Sequence, residues 1–376
     1  MAEYKTLVKK ISISPDKKTK QRDYLKKGQL AIVDQGQCIV GGYTNDTSMS
    51  VKCNLPVIVF GDHTRAVKYI TFPFGAGADG IKILQPNENI LPLYLYYGTQ
   101  YVVAKMPNRG YARHYQYVER EDLPVPPLSE QERIVARIEE LFSQLDAGVE
   151  TLKKTKAQLA VYRQAVLKEA FESVIPESDT CNVEDVCKDI KVGIVIKPAQ
   201  YYTSADVGVR AFRSANVREF AVNDSDWVYL TKAGHEANLR SEIHTGDVLV
   251  VRSGYPGTAC VVPPTYNGCN AIDILIAVPY AEKILPEYLC AYTNSPLGKR
   301  IIQEKKRGVA QAHFNVSGYS KTPIIVPCLE TQKRVVAEID SRLSVCDSIE
   351  QTVDTALQQA EAMRQSILKD AFEGRL

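Results

Sequence analysis

The stretch RQAVLKEAFES at 163–173 decides the fold, because RQSILKDAFEG repeats it at 364–374, 201 positions later. Sliding the sequence by 201 aligns segment 125–172 with segment 326–373 without a gap. An internal duplication of this size indicates a repeated structural unit. The identities include Val125, Pro126, Leu128, Gln131, Arg133, Val135, Ala136 and Ile138 in the first copy and Val326, Pro327, Leu329, Gln332, Arg334, Val336, Ala337 and Ile339 in the second.

Each copy is predicted to form one long helix, since prolines precede it and none interrupts it. In the first copy Ser129 and Glu132 match a capping box, so the helix is expected to begin at Ser129 and to stop before Pro176. The second copy has ETQKR in place of SEQER, which predicts a weaker start at Glu330 or Thr331. It is expected to continue to the C-terminus.

Apolar residues recur along both copies at spacings of three and four, which is typical of a coiled-coil seam. A helix of about 45 residues is roughly 67 Å long at 1.5 Å per residue, too long to bury its apolar stripe against one small domain. Two such helices can bury their stripes against each other; the alternative is two separate helices, each on its own domain. The predicted seam comprises Ile138, Leu141, Leu145, Leu152, Leu159, Tyr162 and Val166, with Ile339, Cys346, Ile349, Val353, Ala356, Ala360, Met363 and Ile367.

The remaining chain forms two blocks, block 1 (1–124) and block 2 (176–324), which alternate with the helical segments 125–175 and 325–376. Both blocks are rich in β-branched, tyrosine and turn residues, and they echo each other weakly, as in ILPLYLYY from Ile90 and ILPEYLCAY from Ile284. The chain therefore contains two copies of one unit, and each copy consists of a block followed by a long helix. The predicted strands are LPVIVF (55–60), KYITF (68–72), GIKIL (80–84), GDVLVV (246–251) and AIDILIAV (271–278).

Bulk composition sets limits on the class of protein. The chain has 376 residues and a formal net charge of +2, so two domains are expected and the overall charge favours neither nucleic acid nor membrane. We find no apolar run of membrane-spanning length and no N-terminal signal core, and we expect a cytoplasmic protein. The nine cysteines show no C-x-x-C pair, so reduced thiols are favoured over a zinc site.

Positive charge is concentrated in block 1, where residues 1–128 carry a net charge of +6. KKTKQR is one of its basic runs, and NRGYARHY mixes basic and aromatic side chains, as does KKRGVAQAHF in block 2. Such loops suit a phosphate backbone and base edges. The alternative for each loop is a solvated surface turn. The candidate DNA contacts are Lys17, Lys18, Lys20 and Arg22, then Arg109, Arg113 and His114, and in block 2 Lys305, Lys306, Arg307, Gln311 and His313.

The sequence offers no recognisable catalytic constellation. FGAGADG contains G-x-G-x-x-G, but the strand-like IKILQP follows it instead of the helix that a dinucleotide fold requires, so a glycine turn in a sheet is expected. No N-P-P-F or D-P-P-Y tetrapeptide of an amino-methyltransferase occurs. The five histidines are scattered, and no spacing indicates a metal or nuclease centre.

These features together resemble the specificity subunit of type I restriction-modification enzymes. The specific part is LPVPPLSEQERIVARIEELFSQLD with RQAVLKEAFES, and its second copy from TPIIVPCLETQKRVVAEID to RQSILKDAFEGRL. VIVFGDHTR (57–65) with FPFGAGADGIKIL (72–84), and GDVLVVRSGYPGTACVV (246–262), resemble two classes of target-recognition domain. Within and beside these motifs, Arg65, Lys68, Arg252 and Tyr255 join the candidate DNA contacts.

The resemblance implies an α+β fold in which two globular target-recognition domains of mixed α/β structure are separated by two long antiparallel coiled-coil helices. This arrangement has an internal pseudo-two-fold repeat. Each domain would read half of a split DNA sequence, and the helices would dock two modification (methyltransferase) subunits, with restriction/translocase subunits beyond them. S-adenosylmethionine, ATP and Mg²⁺ would belong to those partners, and this chain would carry no catalytic centre. The repeated helical sequence would then present the same docking surface to each of two copies of a partner.

Two rival functions stay open at this point. A coiled-coil scaffold could carry blocks that bind protein or carbohydrate, and it would not bind DNA with a partner methyltransferase. A methyltransferase or nuclease with a divergent centre would act as an isolated chain.

Overall fold

The computed structural model describes residues 1–78, 80–107, 110, 112–175, 178–307 and 314–376, except for the side chains of 305–307. The chain divides into two compact units. Unit 1 comprises Met1–Lys153 with Asp354–Leu376, and unit 2 comprises Lys154–Val353. Each unit therefore combines one block with the first part of one repeated helix and the last part of the other.

Block 1 is a small α/β domain that leads into the first long helix. Its elements are β1 (Ala2–Glu3), β2 (Val8–Ile11), β3 (Lys18–Thr19), β4 (Leu30–Val33), β5 (Gly42–Thr44), β6 (Val57–Gly61), β7 (Val67–Ile70), β8 (Phe74–Gly77), β9 (Ile81–Pro86), α1 (Pro92–Lys105), α2 (Tyr115–Val118) and β10 (Asp122–Leu123), and the long helix is α3 (Leu128–Glu172).

Block 2 follows and leads into the second long helix. Its elements are β11 (Asp179–Asn182), α4 (Val183–Val186), β12 (Cys187–Val192), β13 (Tyr202–Thr203), β14 (Val209–Phe212), β15 (Val217–Arg218), β16 (Ala221–Val222), β17 (Val228–Leu230), α5 (Lys232–Glu236), β18 (Val248–Val251), β19 (Ala259–Val261), β20 (Asn270–Ala271), β21 (Ile274–Pro279), α6 (Pro286–Asn294), α7 (Pro296–Arg307), α8 (Val316–Ser320) and β22 (Pro323–Val326), and the long helix is α9 (Leu329–Phe372).

Each block contains its own main antiparallel sheet of four strands. Its order is β2-β9-β6-β7 in block 1 and β12-β21-β18-β19 in block 2, so equivalent strands occupy equivalent positions. Each strand predicted from sequence overlaps a strand of these two sheets. A second sheet in each block has a parallel pair, β4 with β8 and β14 with β20, and an antiparallel neighbour, β5 or β17. The fourth strand differs, because β3 pairs with β8 whereas β13 pairs with β17.

Each unit has its own core, which joins a block to the long helices. In unit 1, Tyr94 of α1 packs against Phe372 near the end of α9, with ring centroids 4.9 Å apart. In unit 2, Tyr288 of α6 packs against Phe171 near the end of α3, at 5.2 Å. Phe171 and Phe372 are equivalent in the repeat. A buried Gly98 admits Phe372, because a side-chain carbon there would lie 3.1 Å from the ring and 2.7 Å from Leu123.

The long helices run antiparallel within each unit. In unit 1, Arg364 forms an ion pair with Asp146. In unit 2, Arg163 forms the equivalent pair with Asp347 at 2.6 Å and also contacts Glu350 at 3.0 Å. The two arginines and the two aspartates are each 201 positions apart. The duplication therefore extends from the sequence to the individual contacts, and the α+β fold with paired antiparallel helices is confirmed.

The burial of side chains identifies the helix positions that face the seam. Of the fifteen predicted seam residues, seven are buried, namely Ile138, Leu159, Val166, Ile339, Cys346, Val353 and Ala360, and five are half-buried, namely Leu141, Leu145, Leu152, Ala356 and Ile367. The inward positions follow one strict alternation of four and three residues in both copies. They are 138, 142, 145, 149, 152, 156, 159, 163, 166 and 170 in α3, and 339, 343, 346, 350, 353, 357, 360, 364, 367 and 371 in α9.

Some of the apolar residues assigned to the seam lie beside it. Tyr162 is 46% exposed, Ile349 40% and Met363 55%. The alternation passes through Arg163, Glu350 and Arg364, which are half-buried, because ion pairs across the helices let polar residues occupy those inward positions. Leu141 and Ala356, also half-buried, neighbour the inward positions 142 and 357.

The helix ends differ from the sequence-based expectations. Both long helices begin two residues after the equivalent prolines Pro126 and Pro327, at Leu128 and Leu329, so the expected later start of the second copy at Glu330 or Thr331 is not observed. The helix α9 ends at Phe372 and does not continue to Leu376. Gly374 has a φ of 74°, and the amide of Arg375 donates to the carbonyl of Asp370. A left-handed glycine after the last turn is a common helix terminator.

A buried glutamine fixes the start of each long helix to its block. The side chain of Gln131 accepts a hydrogen bond from the Leu91 amide at 2.8 Å and donates to the carbonyls of Asn89 and Pro126 at 3.1 and 2.8 Å. Its repeat equivalent, Gln332, is equally inaccessible to solvent. Gln332 accepts from the Leu285 amide at 2.9 Å and donates to the carbonyls of Lys283 and Pro327 at 2.9 and 2.8 Å.

Candidate nucleic-acid interface

Two predicted DNA contacts lie on or near the turn between β6 and β7. Arg65 is half-buried, has a φ of 60°, and its guanidinium donates to the Met106 carbonyl at 3.2 Å. Lys68 is only 4% exposed, and its ammonium group donates to the Asp34 carbonyl at 2.7 Å. Burial lowers the pKa of Lys68, and Asp34 opposes that shift. The prediction for Lys68 is therefore wrong, because its charge is used inside block 1.

His114 is also internal, which corrects a second prediction. It is fully buried, and its Nδ1 donates to the Asp62 carbonyl at 3.0 Å. The Asp62 carboxylate accepts from the Tyr115 amide at 2.8 Å and pairs with Lys82 at 3.3 Å. His114 thus anchors the polypeptide next to the exposed Arg113, and its own ring is not accessible at the surface.

The other basic candidates of block 1 divide by accessibility. Lys17, Lys20 and Arg22 are exposed, while Lys18 is half-buried and lines a shallow groove of about 170 Å³ with Lys10 and Lys82. Lys10 and Lys82 could not be selected from sequence, because they lie in separate strands, β2 and β9, that the sheet brings together. Arg109, Gln311 and His313 lie outside the described residues, and Lys305, Lys306 and Arg307 are described only as the end of α7.

In block 2, the turn between β18 and β19 presents an exposed aromatic ring. Tyr255 is 85% exposed at the tip of the turn. Gly254 and Gly257 flank it with φ values of 79° and 91°, a region that residues with side chains rarely adopt. Arg252, at the base of the turn, is only 15% exposed and pairs with Asp273 at 3.3 Å, so it supports the turn. Tyr255 is the candidate that faces solvent.

A cleft of about 1260 Å³ opens beside this turn, wholly within unit 2. One rim is the turn that carries Tyr255, and the other is the turn between β15 and β16, which carries Arg218 and Glu219. Lys299 of α7 pairs with Glu219 across the cleft wall. The floor is mainly apolar, with Val251 and Ile302, and Ser214, Ser253, Thr258 and Gln303 add polar groups.

Sequence reasoning missed Arg218, Glu219, Lys299 and Gln303. They come from a hairpin and a helix about 80 residues apart in the chain, and none stands in a basic run. The only available signal was the motif around GDVLVVRSGYPG, which selected the opposite rim. The cleft combines donors, one carboxylate acceptor and an exposed aromatic ring, the functional groups that read base edges and stack on bases.

Comparison with known proteins gives these surfaces a context. The chain is 26% identical over 282 residues to the EcoBI specificity subunit of Escherichia coli, covering 68% of this chain and 58% of that one. It is 24% identical over 352 residues to the EcoR124I/EcoR124II specificity subunit of Escherichia coli, covering 88% and 83%. Both are type I restriction enzyme subunits. The chain resembles type I specificity subunits.

The solved structures agree at the level of the fold. A chain from a structure concerned with complex assembly and conformational transition of the type I R-M system matches with a TM-score of 0.72 at 17% identity, covering 100% of this chain and 97% of that one. The HsdS subunit from Thermoanaerobacter tengcongensis matches with a TM-score of 0.51 at 17% identity, covering 100% and 96%. No family model matches the chain.

The aligned region spans less than three-fifths of the EcoBI and EcoKI specificity subunits. Within the described residues, no group of three or more His, Cys, Asp and Glu side chains is placed to hold a metal ion. Among the described helices, none is both long and apolar enough to cross a membrane.

Proposed function

We propose that this chain is the DNA-recognition subunit of a type I restriction-modification complex. Blocks 1 and 2 would each bind one half of a bipartite DNA target, and α3 with α9 would dock two modification subunits. S-adenosylmethionine would bind to the modification subunits, and ATP and Mg²⁺ to restriction/translocase subunits. The chemistry of methylation and cleavage would then lie outside this chain, whose part is to select the sequence.

One observation carries the proposal: the chain repeats a block and a long helix down to single contacts, and it resembles specificity subunits over most of its length. A split target needs two separate reading surfaces. The equivalent hairpin turns, β6–β7 with Arg65 and β18–β19 with Tyr255, provide one surface in each block. A pair of identical partners would need two equivalent docking surfaces, and the repeat of the long helices down to the ion pairs Asp146–Arg364 and Arg163–Asp347 supports such an arrangement.

The test is to co-express the chain with its modification subunit in a host that lacks other adenine methylation, and to sequence the methylated positions. We expect a split motif of two short defined sequences separated by an undefined gap. Omitting this chain should abolish that motif. Methylation without the chain, or a continuous short motif, would contradict the proposal. An assembly that binds no DNA at all would favour the scaffold alternative.

A matched pair of substitutions then assigns the halves. Arg113→Ala lies in block 1 and Tyr255→Ala in block 2, and both side chains are exposed, so folding should be preserved. We expect each to weaken or relax a different half of the motif. Changes that fall on the same half, or on neither, would contradict the assignment of one half to each block.

A further inference from the structure

We propose that Asp62 is a positioning residue for sequence recognition by block 1, because it fixes the segment that carries Arg113 to the β6–β7 turn. This inference rests on the proposed function and deepens it, since it names a residue that acts on recognition from inside the block. Asp62 directly follows β6 and is only 4% exposed. Arg113 lies in the segment that leads into α2, and its side chain is exposed.

Asp62 contacts the segment of Arg113 through both its main chain and its side chain. Its carbonyl oxygen accepts hydrogen bonds from the His114 amide at 2.9 Å and from Nδ1 of the His114 ring at 3.0 Å. Its carboxylate accepts from the Tyr115 amide at 2.8 Å. The two residues that follow Arg113 are therefore both bonded to Asp62, which limits how far the main chain of Arg113 can move from the turn.

The main sheet of block 1 holds Asp62 itself in place. The Asp62 amide donates to the carbonyl of Gly80, just before β9, at 2.6 Å. Its carboxylate also pairs with Lys82 of β9 at 3.3 Å. Because β9 lies beside β6 in the sheet, these contacts tie Asp62 to two neighbouring strands. The sheet therefore fixes the position of Arg113 by way of Asp62.

Two further contacts attach the same segment to the turn. The His63 ring donates from Nδ1 to the Ala112 carbonyl at 3.1 Å, and the Arg65 guanidinium donates to the Met106 carbonyl at 3.2 Å. Successive residues of the turn thus contact successively earlier residues of segment 106–115. A segment held at several points is pre-organised, so it loses less conformational freedom on binding than a free loop would.

Block 2 repeats the main-chain contact with a different side chain. Arg252 follows β18 as Asp62 follows β6, and its carbonyl accepts from the Phe314 amide, just before α8, at 3.2 Å. The Arg252 guanidinium pairs with Asp273 at 3.3 Å. Attachment of the segment to the hairpin turn is therefore common to both blocks. Arginine has no acceptor group, so a side-chain bond to a main-chain amide is possible at this position only in block 1.

A positioning role differs from a purely stabilising role in one measurable way. If Asp62 acts through Arg113, removing either residue removes the same contact with DNA, so their effects on discrimination should not add. If Asp62 only stabilises block 1, its removal acts independently of Arg113, and the two effects should add.

The experiment is a double-mutant cycle of Asp62→Ala and Arg113→Ala, each variant being the full chain co-expressed with the modification subunit. The methylated motif of the wild type is sequenced first. Methylation rates of the assembled enzymes are then compared on the target and on duplexes with one changed base pair, and their ratio is the discrimination at that position. Glu88→Ala removes an exposed carboxylate of the same block and is the control, which should leave every ratio unchanged.

We expect Arg113→Ala to lose about 5- to 150-fold discrimination within one half of the motif, the range for one good base contact. Asp62→Ala should lose discrimination at the same positions, and the double variant should lose no more than Arg113→Ala alone. The half read by block 2 should keep its discrimination in all three variants, so it serves as an internal control for the integrity of the assembly.

Asp62→Asn separates the hydrogen bond from the charge. Asparagine keeps a side-chain oxygen that can accept from the Tyr115 amide but does not neutralise Lys82, so it should retain most of the discrimination that Asp62→Ala loses. If Asp62→Ala does not fold, the cycle is run with His63→Leu, which removes the bond to the Ala112 carbonyl from a half-buried ring. Its loss should fall at the same positions and should not add to that of Arg113→Ala.

Several results would overturn the inference. They are additive losses in the double variant, losses in both halves, wild-type discrimination in folded Asp62→Ala, an Asp62→Asn variant as impaired as Asp62→Ala, and an Arg113→Ala variant that alters neither half. The proposed function fails separately. A wild-type chain that yields no split motif refutes that function, whereas a split motif together with any of these results refutes only the role of Asp62.

Discussion

Replacing Gln332 by alanine should cost unit 2 about 3 kcal/mol or more of unfolding free energy. The Gln332 side chain is inaccessible to solvent and satisfies one backbone amide and two carbonyls. A buried polar group that loses its partner costs about 1–3 kcal/mol. Three such groups lose their partner in Gln332→Ala, and water that enters the vacated space would recover part of the loss. The duplication predicts the same cost in unit 1 for Gln131→Ala.

The assay is urea unfolding of the two variants, with hydrogen exchange of single amides as a local measurement. Exchange should accelerate at the Leu285 amide in Gln332→Ala and at the Leu91 amide in Gln131→Ala, because each amide donates to the deleted side chain. The controls are Gln158→Ala and Gln359→Ala, which are also repeat equivalents but exposed, and they should stay within about 0.5 kcal/mol of wild type.

A Gln332→Ala protein as stable as Gln359→Ala would refute this reasoning. So would an acceleration spread evenly over unit 2, because it would show that the glutamine does not act on the amides it contacts. Gln332→Met separates packing from hydrogen bonding, since it nearly keeps the length of the side chain but not its polar atoms. It should recover little of the loss if the hydrogen bonds dominate.

Three further predictions concern the helices and a thiol. The double variant Arg163→Leu with Arg364→Leu should not lower the melting temperature, since half-exposed ion pairs contribute little to stability. Light scattering should reveal additional association states, because polar seam residues specify the register of the paired helices. A drop of several degrees in the melting temperature would contradict this prediction. One heptad added to both helices, after Gly148 and after Ile349, should widen the methylated gap by up to about three base pairs with unchanged halves. Iodoacetamide should label exposed Cys328, whose pKa is lowered by hydrogen bonding to Thr331, well before Cys260, whose pKa burial raises to about 12.

Much of the fold could be predicted from the sequence because the duplication is explicit. The long helices, the alternation of blocks and helices, and the strands around Val57 and Val248 follow from periodicity and repetition alone. The exact seam did not, because apolar periodicity favours Tyr162 over Arg163. Only the tertiary partner Asp347 explains why an arginine occupies that inward position.

The candidate interface was harder to predict. A sequence shows that His114 and Lys68 are basic but not that Asp62 and Asp34 hold them inside the domain. Conversely, Glu219 and Lys299 have no local signature, since their significance comes from a contact between residues 80 positions apart. Only surface turns with glycine, such as the one that carries Tyr255, could be recognised from a local sequence motif.

The division of the chain into two units also affects the order in which these units can fold during synthesis. Unit 2 is a continuous segment, whereas unit 1 needs Asp354–Leu376 to complete it. At about 5–20 residues per second, the ribosome makes that final segment roughly ten to forty-five seconds after it has passed residue 153. During this interval Ile138 and Phe142 of α3 lack the cover of Leu368 and Phe372. The nascent unit 1 therefore exposes apolar side chains that favour aggregation until residues 354–376 have been made, whereas unit 2 can fold from one continuous segment.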